Sequence, residues 1–430
     1  MSSIEEIYQI YLNHPVISTD SRSIAQDGLF FALKGDTFNG NLFAESALQK
    51  GGAFAIIDDA NLKTNPRYIL VDDVLKTLQD LASFHRDHLF IPVIAVTGSN
   101  GKTTTKELIS TILSKKYKTI ATRSNLNNHI GVPLTLLSIT PDTEIAIIEM
   151  GANHPGEIRF LCDLAKPDYG IITNIGKAHL EGFGSFEGVV KAKTELFRYL
   201  KEHRGIAFIN ADNPLLADHS IGLQKFSYGE HSSADYPVRL TNTQSVVEFG
   251  IDTGGKRIPV HSHLYGAYNF ENLMAAASIG HYFKIGPEEI KSAIENYIPC
   301  NNRSQILKAS HNLLILDAYN ANPTSMELAI ENFSRTEYRN KTVILGDMLE
   351  LGAGSENEHL NILKLLEEKE FSGIYLVGPI FTKLCRKKEW ICFQDSELAR
   401  LWFEHHKVKD ATILIKGSRG IRMEQISGVL

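Results

Sequence analysis

Residues 97–104, with the sequence TGSNGKTT, have the residue types of a phosphate-binding loop. Glycines let backbone N–H groups approach phosphate oxygens, and the N-terminus of the following helix adds a positive dipole. An apolar run precedes the loop and a helical pattern follows it, although Val96 stands where the strict pattern has its first glycine. The segment therefore predicts an ATP site formed by Gly98, Ser99, Asn100, Gly101, Lys102, Thr103 and Thr104.

Three side chains, those of Thr103, Glu149 and His179, could hold Mg²⁺ beside this loop, and the pattern also singles out one lysine. The hydroxyl of Thr103 suits a nucleotide-bound Mg²⁺, and Glu149 ends the apolar run EIAIIEMG. His179 is expected at the end of the next strand, and Lys193 lies on the apolar stripe of a helix that begins near Phe186. Taken alone, the histidine also suits a structural role, and the lysine also suits a buried stem with its charge reaching water.

The elements that position these residues are predicted to be parallel strands and helices. Short apolar runs without alternation are typical of strands buried on both faces, and helical stripes such as Leu108, Ile109, Ile112 and Leu113 lie between them. The predicted fold class is therefore α/β with doubly wound sheets, in which ligands bind at the carboxyl ends of the strands. The strand-to-turn segments are 92–103, 144–153, 169–179, 205–214, 313–323, 342–352, 373–379 and 411–420.

The chain length of 430 residues suits three domains at about 150 residues each. Residues 1–88 are predicted to form a small α/β domain, 89–300 a central P-loop domain with a parallel sheet, and 301–430 a C-terminal Rossmann-like α/β domain. Residues 227–265 are rich in Ser, Thr and Val and predict an antiparallel excursion within the central domain.

Composition excludes several classes of protein. The net charge of -6 leaves no basic excess for a phosphate backbone, so we expect no nucleic-acid partner. The first residues lack the apolar region of a secretory signal, and no apolar run approaches the ~18 residues that cross a bilayer. The four cysteines contain no CxxC pair. We therefore expect a cytoplasmic protein without membrane insertion.

Ten motifs together resemble the Mur ligases of peptidoglycan synthesis, and the resemblance spans the whole chain. Two departures are Asn39-Gly40-Asn41, where Asp-Gly-His is common, and Tyr268, where a histidine is frequent. The motifs, in chain order, are TDSRSIAQDGLFFALKGDTFNG (19–40), TGSNGKTTT (97–105), NLNNHIGVP (125–133), EMGAN (149–153), NIGKAHLEGFGS (174–185), KAKTE (191–195), YGAYNFENLMAAA (265–277), DAYNANPTSM (317–326), LGDMLELG (345–352) and KGSRGIRME (416–424).

The resemblance implies an ATP-dependent ligase that forms an amide bond through an acyl phosphate. The last three motifs are most similar to family members that join D-Ala-D-Ala to UDP-N-acetylmuramoyl-tripeptide. The implied catalytic residues are Lys102, His179, Lys193 and Arg303. The implied metal ligands are Thr103, Glu149, His179 and Lys193, for two Mg²⁺ ions, with a carbamylated lysine at Lys193. We also expect a monomer.

The resemblance assigns the remaining ligand contacts as well. Asn269 and Asn272 would contact adenine, although such a pair at a helix start also suits N-capping. Asp317 would accept hydrogen bonds from ribose, and Arg303 would reach the γ-phosphate. The implied substrate residues are Ser21 and Arg22 for the uridine nucleotide, Lys416, Ser418 and Arg419 for the dipeptide or domain closure, and Asn127, Asn128, Asn320 and Asn322.

Three alternatives stay open: a ligase like folylpolyglutamate synthetase, a P-loop kinase, and a non-enzymatic nucleotide-gated binding module. The first would not need the domain predicted for 1–88. A kinase would need neither His179 and Lys193 nor a third domain, and a binding module would need neither Asp317 nor KGSR. Because the ATP ligands are divided between the second and third domains, we also expect the third domain to close on the second when ligands bind.

Overall fold

The computed structural model describes residues 2–231, 233–253, 255–300, 302–309 and 311–430. The N-terminal region contains a four-stranded parallel sheet in the order β1-β2-β5-β6 and a small β3–β4 hairpin. Its elements are α1 (Ile4–Asn13), β1 (Ile17–Ser18), β2 (Leu29–Phe31), β3 (Lys34–Gly35), β4 (Phe38–Asn39), α2 (Ala44–Gln49), β5 (Phe54–Ile57), β6 (Tyr68–Leu70) and α3 (Val74–Asp87).

The central region is built on a nine-stranded sheet in the order β15-β14-β13-β12-β11-β10-β7-β9-β8. Its strands are β7 (Val93–Thr97), β8 (Thr119–Ala121), β9 (Ile145–Glu149), β10 (Tyr169–Ile172), β11 (Ile206–Asn210), β12 (Gln224–Gly229), β13 (Tyr236–Asn242), β14 (Val246–Asp252) and β15 (Arg257–Tyr265). Its helices are α4 (Lys102–Leu113), α5 (Gly131–Leu136), α6 (Glu157–Ala165), α7 (Leu180–Phe183), α8 (Phe186–Lys193), α9 (Glu195–His203), α10 (Pro214–His219), α11 (Asn269–Tyr282) and α12 (Pro287–Glu295).

The C-terminal region has a six-stranded sheet in the order β16-β17-β21-β18-β19-β20, parallel except for the edge strand β16. Its strands are β16 (Gln305–Lys308), β17 (Leu313–Asp317), β18 (Lys341–Gly346), β19 (Gly373–Val377), β20 (Ile391–Phe393) and β21 (Thr412–Lys416). Its helices are α13 (Pro323–Arg335), α14 (Ser355–Glu367), α15 (Pro379–Leu384), α16 (Ser396–His405) and α17 (Glu424–Ser427).

These elements confirm the predicted α/β class. Strands β7 and β9 are buried along their whole length, as expected for parallel strands covered on both faces. The antiparallel excursion is confirmed, because β13, β14 and β15 pair antiparallel at one edge of the central sheet. The boundaries at 88 and 300 stay predictions, and Asn301, where the third predicted domain starts, lies outside the described residues.

Two local predictions were wrong. Strand β10 ends at Ile172, so His179 lies in the loop after the strand and not at its end. The helix predicted from Phe186 is two helices, because α8 ends at Lys193 and α9 begins at Glu195. Between them, the Thr194 hydroxyl donates to the carbonyls of Val190 and Lys191, a bond that bends helices.

No helix in the described ranges is both long enough and apolar enough to cross a lipid bilayer.

Candidate active site

The loop between β7 and α4 requires glycine at two positions. Gly98 has φ 142° and Gly101 has φ 78°, a region of backbone space that side chains disfavour. A Cβ atom at Gly98 would lie 2.0 Å from the hydroxyl of Thr173, and one at Gly101 would lie 2.3 Å from Oδ1 of Asn272. The loop therefore packs against its neighbours without space for a side chain at these two positions. The N-terminus of α4, which follows the loop, is suited to binding an anion.

Lys102 folds back over this loop. Its Nζ donates to the carbonyls of Gly98 at 2.8 Å and Ser99 at 3.2 Å. Burial lowers the pKa of Lys102, opposed by the charge of Glu149 and assisted by Arg303. These two hydrogen bonds hold the ammonium beside the loop. When a nucleotide binds, the ammonium can replace the two carbonyl oxygens with phosphate oxygens.

Glu149 lies at the carboxyl end of β9 and is 1% exposed. Its Oε1 accepts hydrogen bonds from Asn127 Nδ2 at 2.8 Å and from Thr103 Oγ1 at 3.2 Å. Its Oε2 is buried and has no hydrogen-bond partner. Because a buried carboxylate oxygen without a partner is costly, this atom fits a cation ligand.

The residues present fit a Mg²⁺ ion that shares its ligands with a nucleotide. Magnesium is usually held by one or two carboxylates together with phosphate oxygens and water. Across the described ranges, no group of three or more His, Cys, Asp and Glu side chains could hold a metal alone. Glu149 and Thr103 thus offer a partial site of the kind that a nucleotide completes.

His179 contacts the C-terminal region. It has φ 52°, which is left-handed backbone, and its Nδ1 lies 2.5 Å from Oε2 of Glu350. This contact lowers the pKa of Glu350. The position predicted as a metal ligand therefore forms a close contact between two regions, and its metal role stays a prediction.

Lys193, at the end of α8, is 1% exposed. Its Nζ donates to the carbonyl of Ala152 at 3.3 Å and lies 5.5 Å from the ring centre of Phe183. Burial, and next the charge of Lys102, lower its pKa well below the usual lysine value. The predicted inward orientation is thus present, which excludes a solvent-reaching lysine.

Asn269 and Asn272 connect the central region to the C-terminal region. Nδ2 of Asn269 donates to the carbonyl of Tyr265 at 2.7 Å and to Oγ of Ser304 at 2.8 Å. Nδ2 of Asn272 donates to Oδ1 of Asn269 at 2.8 Å, and Thr105 Oγ1 donates to Oδ1 of Asn272 at 3.0 Å. Neither residue caps α11 with its side chain, so their hydrogen bonds hold the wall of the site together.

The C-terminal region contributes cations around one aromatic ring. The guanidinium of Arg303 lies 3.5 Å from the ring centre of Tyr319, and that of Arg419 lies 4.8 Å from it. Nζ of Lys416 donates to Oδ2 of Asp317 at 2.6 Å, and the Lys416 side chain is 3% exposed. Stacking on an aromatic ring holds a guanidinium in place, so this wall is preorganised for anionic groups.

The remaining predicted substrate residues make structural contacts. Asn322 Nδ2 donates to Oδ1 of Asn100 at 2.7 Å, which ties α13 to the phosphate loop. Asn128 Oδ1 accepts from the backbone at the start of α5, and Asn320 Oδ1 accepts from the N–H of Arg419 at 3.4 Å. The hydroxyl of Ser418 donates to the carbonyl of Ala321 at 3.1 Å.

A cavity of about 860 Å³ between the central and C-terminal regions brings most of the predicted residues together. Four do not line it: Gly98 and Lys193 lie behind its wall, and Ser21 and Arg22 belong to the N-terminal region. The lining includes Ser99, Asn100, Gly101, Lys102, Thr103, Thr104, Asn127, Asn128, Glu149, His179, Asn269, Asn272, Arg303, Asp317, Asn320, Asn322, Lys416, Ser418 and Arg419.

Three residues of the site were not predicted from the sequence. Tyr319 follows Asp317 in the quoted motif DAYNANP, so its motif was visible although its stacking was not. Glu350 lies in the motif LGDMLELG, but its contact with His179 depends on the packing of two regions. Lys106, one turn after Lys102, is buried beside Glu149, and the periodicity of α4 could have placed it there.

Three family models match the chain. The model described as Mur ligase family, catalytic domain, matches residues 15–86. The Mur ligase middle domain matches 96–280, and the Mur ligase, glutamate ligase domain, matches 302–419. Together the models cover more than half of the chain.

Similar proteins agree with these models. The UDP-N-acetylmuramoyl-tripeptide–D-alanyl-D-alanine ligase of Bacillus subtilis is 36% identical over 95% of this chain and 92% of its own length. A crystal structure of MurF from Acinetobacter baumannii has a TM-score of 0.86 and 30% identity, covering 96% of this chain and 92% of that chain. MurF ligase from Thermotoga maritima in complex with ADP has a TM-score of 0.84 and 26% identity, covering 100% and 98%.

Folylpolyglutamate synthase from Mycobacterium tuberculosis, with a TM-score of 0.64 and 13% identity over 83% of this chain and 94% of that chain, shares the fold alone. These similarities give no support for a carbamate at Lys193. The models and the full-length similarity agree on one assignment. The chain belongs to the Mur ligase family.

Proposed function

We propose that the chain is an ATP-dependent ligase that joins D-Ala-D-Ala to UDP-N-acetylmuramoyl-tripeptide. The observation that carries this proposal is one shared cavity, in which Lys102 and Glu149 of the central region face Arg303, Asp317 and Arg419 of the C-terminal region. Such a site can gather several anions and exclude water between two walls. The full-length similarity to ligases with this printed activity supports the choice of substrates.

The reaction has two steps. A carboxylate oxygen of the tripeptide attacks the γ-phosphorus of ATP, and the bond to ADP breaks, which leaves an acyl phosphate. The amine of D-Ala-D-Ala then attacks the acyl carbon, loses a proton and displaces phosphate. Because both steps bring anions together, charge neutralisation and positioning are the main contributions of the protein.

In this proposal the central region binds the phosphates. Lys102 exchanges its loop carbonyls for terminal phosphate oxygens, and Arg303 approaches the γ-phosphate while stacked on Tyr319. Thr103 and Oε2 of Glu149 would hold Mg²⁺. When bound, this ion supplies neutralisation of the phosphate charge.

Residues of the central and C-terminal regions bind the adenosine of ATP and the dipeptide. Asn269 and Asn272 face adenine, and Asp317 accepts from ribose. Arg419 is exposed and rests on Tyr319, so it is the group best placed for the dipeptide carboxylate. Lys416 and Ser418 already donate hydrogen bonds to Asp317 and Ala321 of the C-terminal region. In this proposal they hold in place the segment that carries Arg419.

The uridine nucleotide would bind at a distance from the reacting carboxylate. Ser21 and Arg22 lie in the N-terminal region, where Arg22 pairs with Asp20 at 2.7 Å and is 85% exposed. The nucleotide substrates support a cytoplasmic location, and a monomeric state stays a prediction.

Dependence on the dipeptide tests the proposal. ADP should accumulate at steady state only when UDP-N-acetylmuramoyl-tripeptide and D-Ala-D-Ala are both present, because the acyl phosphate needs the amine to turn over. A coupled ADP assay measures this, with Lys102→Ala as the inactive control. Equal turnover with a single amino acid such as glutamate would contradict the proposal, and tripeptides ending in lysine or diaminopimelate would define the third residue.

We also propose that the Lys193 amine reacts with CO₂. The nitrogen adds to the carbon of CO₂ and a proton is released, which gives a carbamate anion. Burial favours the neutral amine that this reaction needs, since the lysine is 1% exposed and its pKa is lowered. The carbamate would add an anion to the metal ligands that the resemblance implies, which are Thr103, Glu149 and His179.

The matched pair Lys193→Ala and Lys191→Ala tests this proposal. Lys191 lies on the same helix but is exposed, so Lys191→Ala should remain active. Lys193→Ala should lose most activity and regain part of it with added acetate, which replaces the lost carboxylate. Full activity of Lys193→Ala, or an unmodified ammonium in a well-resolved liganded crystal, would overturn the carbamate.

A further inference from the structure

Lys106 is a buried cation for which the proposed reaction has no role. It lies on α4 one turn after Lys102, and its side chain is 3% exposed. Its Nζ donates to the carbonyl of Thr122 at 2.7 Å. A buried ammonium is costly unless it is paired, so the groups around it explain its presence.

Two carboxylates face Lys106. Oε2 of Glu149 lies 3.9 Å from its Nζ, and Oε1 of Glu107 lies 3.8 Å away. Both distances are too long for a hydrogen bond but short enough for strong attraction in a buried setting. Glu107 is 25% exposed and its Oε2 accepts from the hydroxyl of Tyr297, so Glu149 is the more deeply buried of the two anions.

Thr122 couples Lys106 to Glu149. Its carbonyl accepts from Lys106, and its hydroxyl accepts from the backbone N–H of Glu149 at 2.9 Å. Oε1 of Glu149 is occupied by Asn127 and Thr103. The ammonium therefore lies beside Oε2 without a hydrogen bond to it, and Oε2 keeps its capacity to bind a cation on a residue that lines the cavity.

We propose that Lys106 is the built-in counter-ion of Glu149, a positioning residue that admits a divalent cation only together with a nucleotide. Its charge stabilises the buried carboxylate before any ligand binds. A lone divalent cation at Oε2 would be repelled by the ammonium, whereas the negative charge of a triphosphate offsets that repulsion. This inference rests on the proposed function for its nucleotide but concerns metal binding, which is measured without turnover.

Titration of free Mn²⁺ by electron paramagnetic resonance at pH 8, without nucleotide, tests the proposal. Mn²⁺ takes the same oxygen ligands as Mg²⁺. Lys106→Met and Lys106→Gln should bind Mn²⁺ at least about tenfold more tightly than the wild type, because about 1.4 kcal/mol of repulsion corresponds to that factor. Lys106→Arg should keep the wild-type affinity, and Lys115→Met, at an exposed lysine after the same helix, should also leave it unchanged.

The gain in Mn²⁺ affinity of Lys106→Met and Lys106→Gln must depend on Glu149. Adding Glu149→Gln to either neutral variant should remove it. Unchanged or weaker Mn²⁺ binding in both neutral variants, or a gain that persists with Glu149→Gln, would overturn the proposal. Lys106→Gln keeps a donor for Thr122 and serves if Lys106→Met does not fold. Failure of the proposed function would instead appear as ADP formation by the wild type that does not require the dipeptide.

Discussion

The central region meets its two neighbours through different kinds of contact. Toward the N-terminal region it shares one continuous apolar core, which includes Tyr8 and Leu81 from one side and Leu136 and Leu161 from the other. Toward the C-terminal region it faces a cavity of about 860 Å³, bridged by polar contacts such as Asn322 to Asn100. Apolar burial fixes two bodies together, whereas a polar interface permits motion between them.

Polar groups strengthen the first junction further. Arg86 of α3 donates to the carbonyls of Ala165 and Lys166, each at 2.9 Å, at the C-terminal end of α6. The hydroxyl of Tyr11 donates to the carbonyl of Leu137 at 2.7 Å. From this difference we predict that the N-terminal and central regions act as one body and that the C-terminal region moves against it.

The largest expected effect is on the shared core. Leu81→Ala removes a side chain that is 0% exposed and should lower the free energy of unfolding by about 2–5 kcal/mol through a cavity and lost burial. Urea unfolding followed by circular dichroism measures it. Leu398→Ala, at a leucine that is 48% exposed, is the control and should change it by less than about 0.5 kcal/mol.

Because the N-terminal and central regions share this core, we expect them to unfold in a single transition. The destabilised variant should lose N-terminal structure and nucleotide binding at the same urea concentration. If the N-terminal region of this variant unfolded separately while the central region still bound nucleotide, the two regions would not form one body.

An intermediate effect is expected at His85, which lies in the same junction. Its Nδ1 is 3.2 Å from the hydroxyl of Tyr8, and its Nε2 is 3.2 Å from the carbonyl of Ile139. Burial lowers the pKa of His85 below 6.5, so the unfolded chain takes up the proton at a higher pH than the folded chain. Stability should therefore be retained above pH 6.5 and fall as the pH drops below it.

The substitution His85→Gln removes this titration. Urea unfolding at pH 7.5 and pH 5.5 should show a smaller loss of stability for His85→Gln than for the wild type. An equal loss of stability in His85→Gln and the wild type would mean that protonation of His85 does not cause the pH dependence.

The smallest effect is expected across the cavity. Lys177 Nζ lies 2.8 Å from Oε1 of Glu358, and the lysine side chain is 49% exposed. Exposed pairs contribute about 0–1 kcal/mol, so Lys177→Met should shift domain closure only slightly. Small-angle scattering should show a smaller radius of gyration with nucleotide and tripeptide, less so for Lys177→Met or at high salt.

Lys191→Met, at an exposed lysine away from the cavity, is the matched control for this experiment. A radius that stays the same at saturating ligand in the wild type would argue against closure of the C-terminal region.

The phosphate loop could be predicted because its information is local. Gly98 and Gly101 need positive φ, and the apolar run before them and the helical pattern after them fix their setting. The same holds for Glu149, which ends β9 as predicted. Local patterns of this kind also predicted the α/β class and the antiparallel excursion at β13–β15.

Contacts between distant segments could not be predicted in this way. His179 was expected at a strand end, but its partner Glu350 comes from another sheet, and its backbone is left-handed. Asn127 was expected to contact substrate, yet its amide donates to Glu149. An asparagine or histidine in a loop has many possible partners, and the packing of whole regions selects among them.

The shared core determines the order in which the regions of the chain can fold during translation. Its buried residues extend from Ile7 to Leu216, so the first segment to emerge lacks the surfaces that cover α1 and α3 until much of the central region has been translated. The C-terminal region has separate cores, to one of which the central region contributes only Tyr265. During synthesis, the early part of the nascent chain therefore keeps apolar surface open to chaperones, and the last part can fold as a unit once it is released.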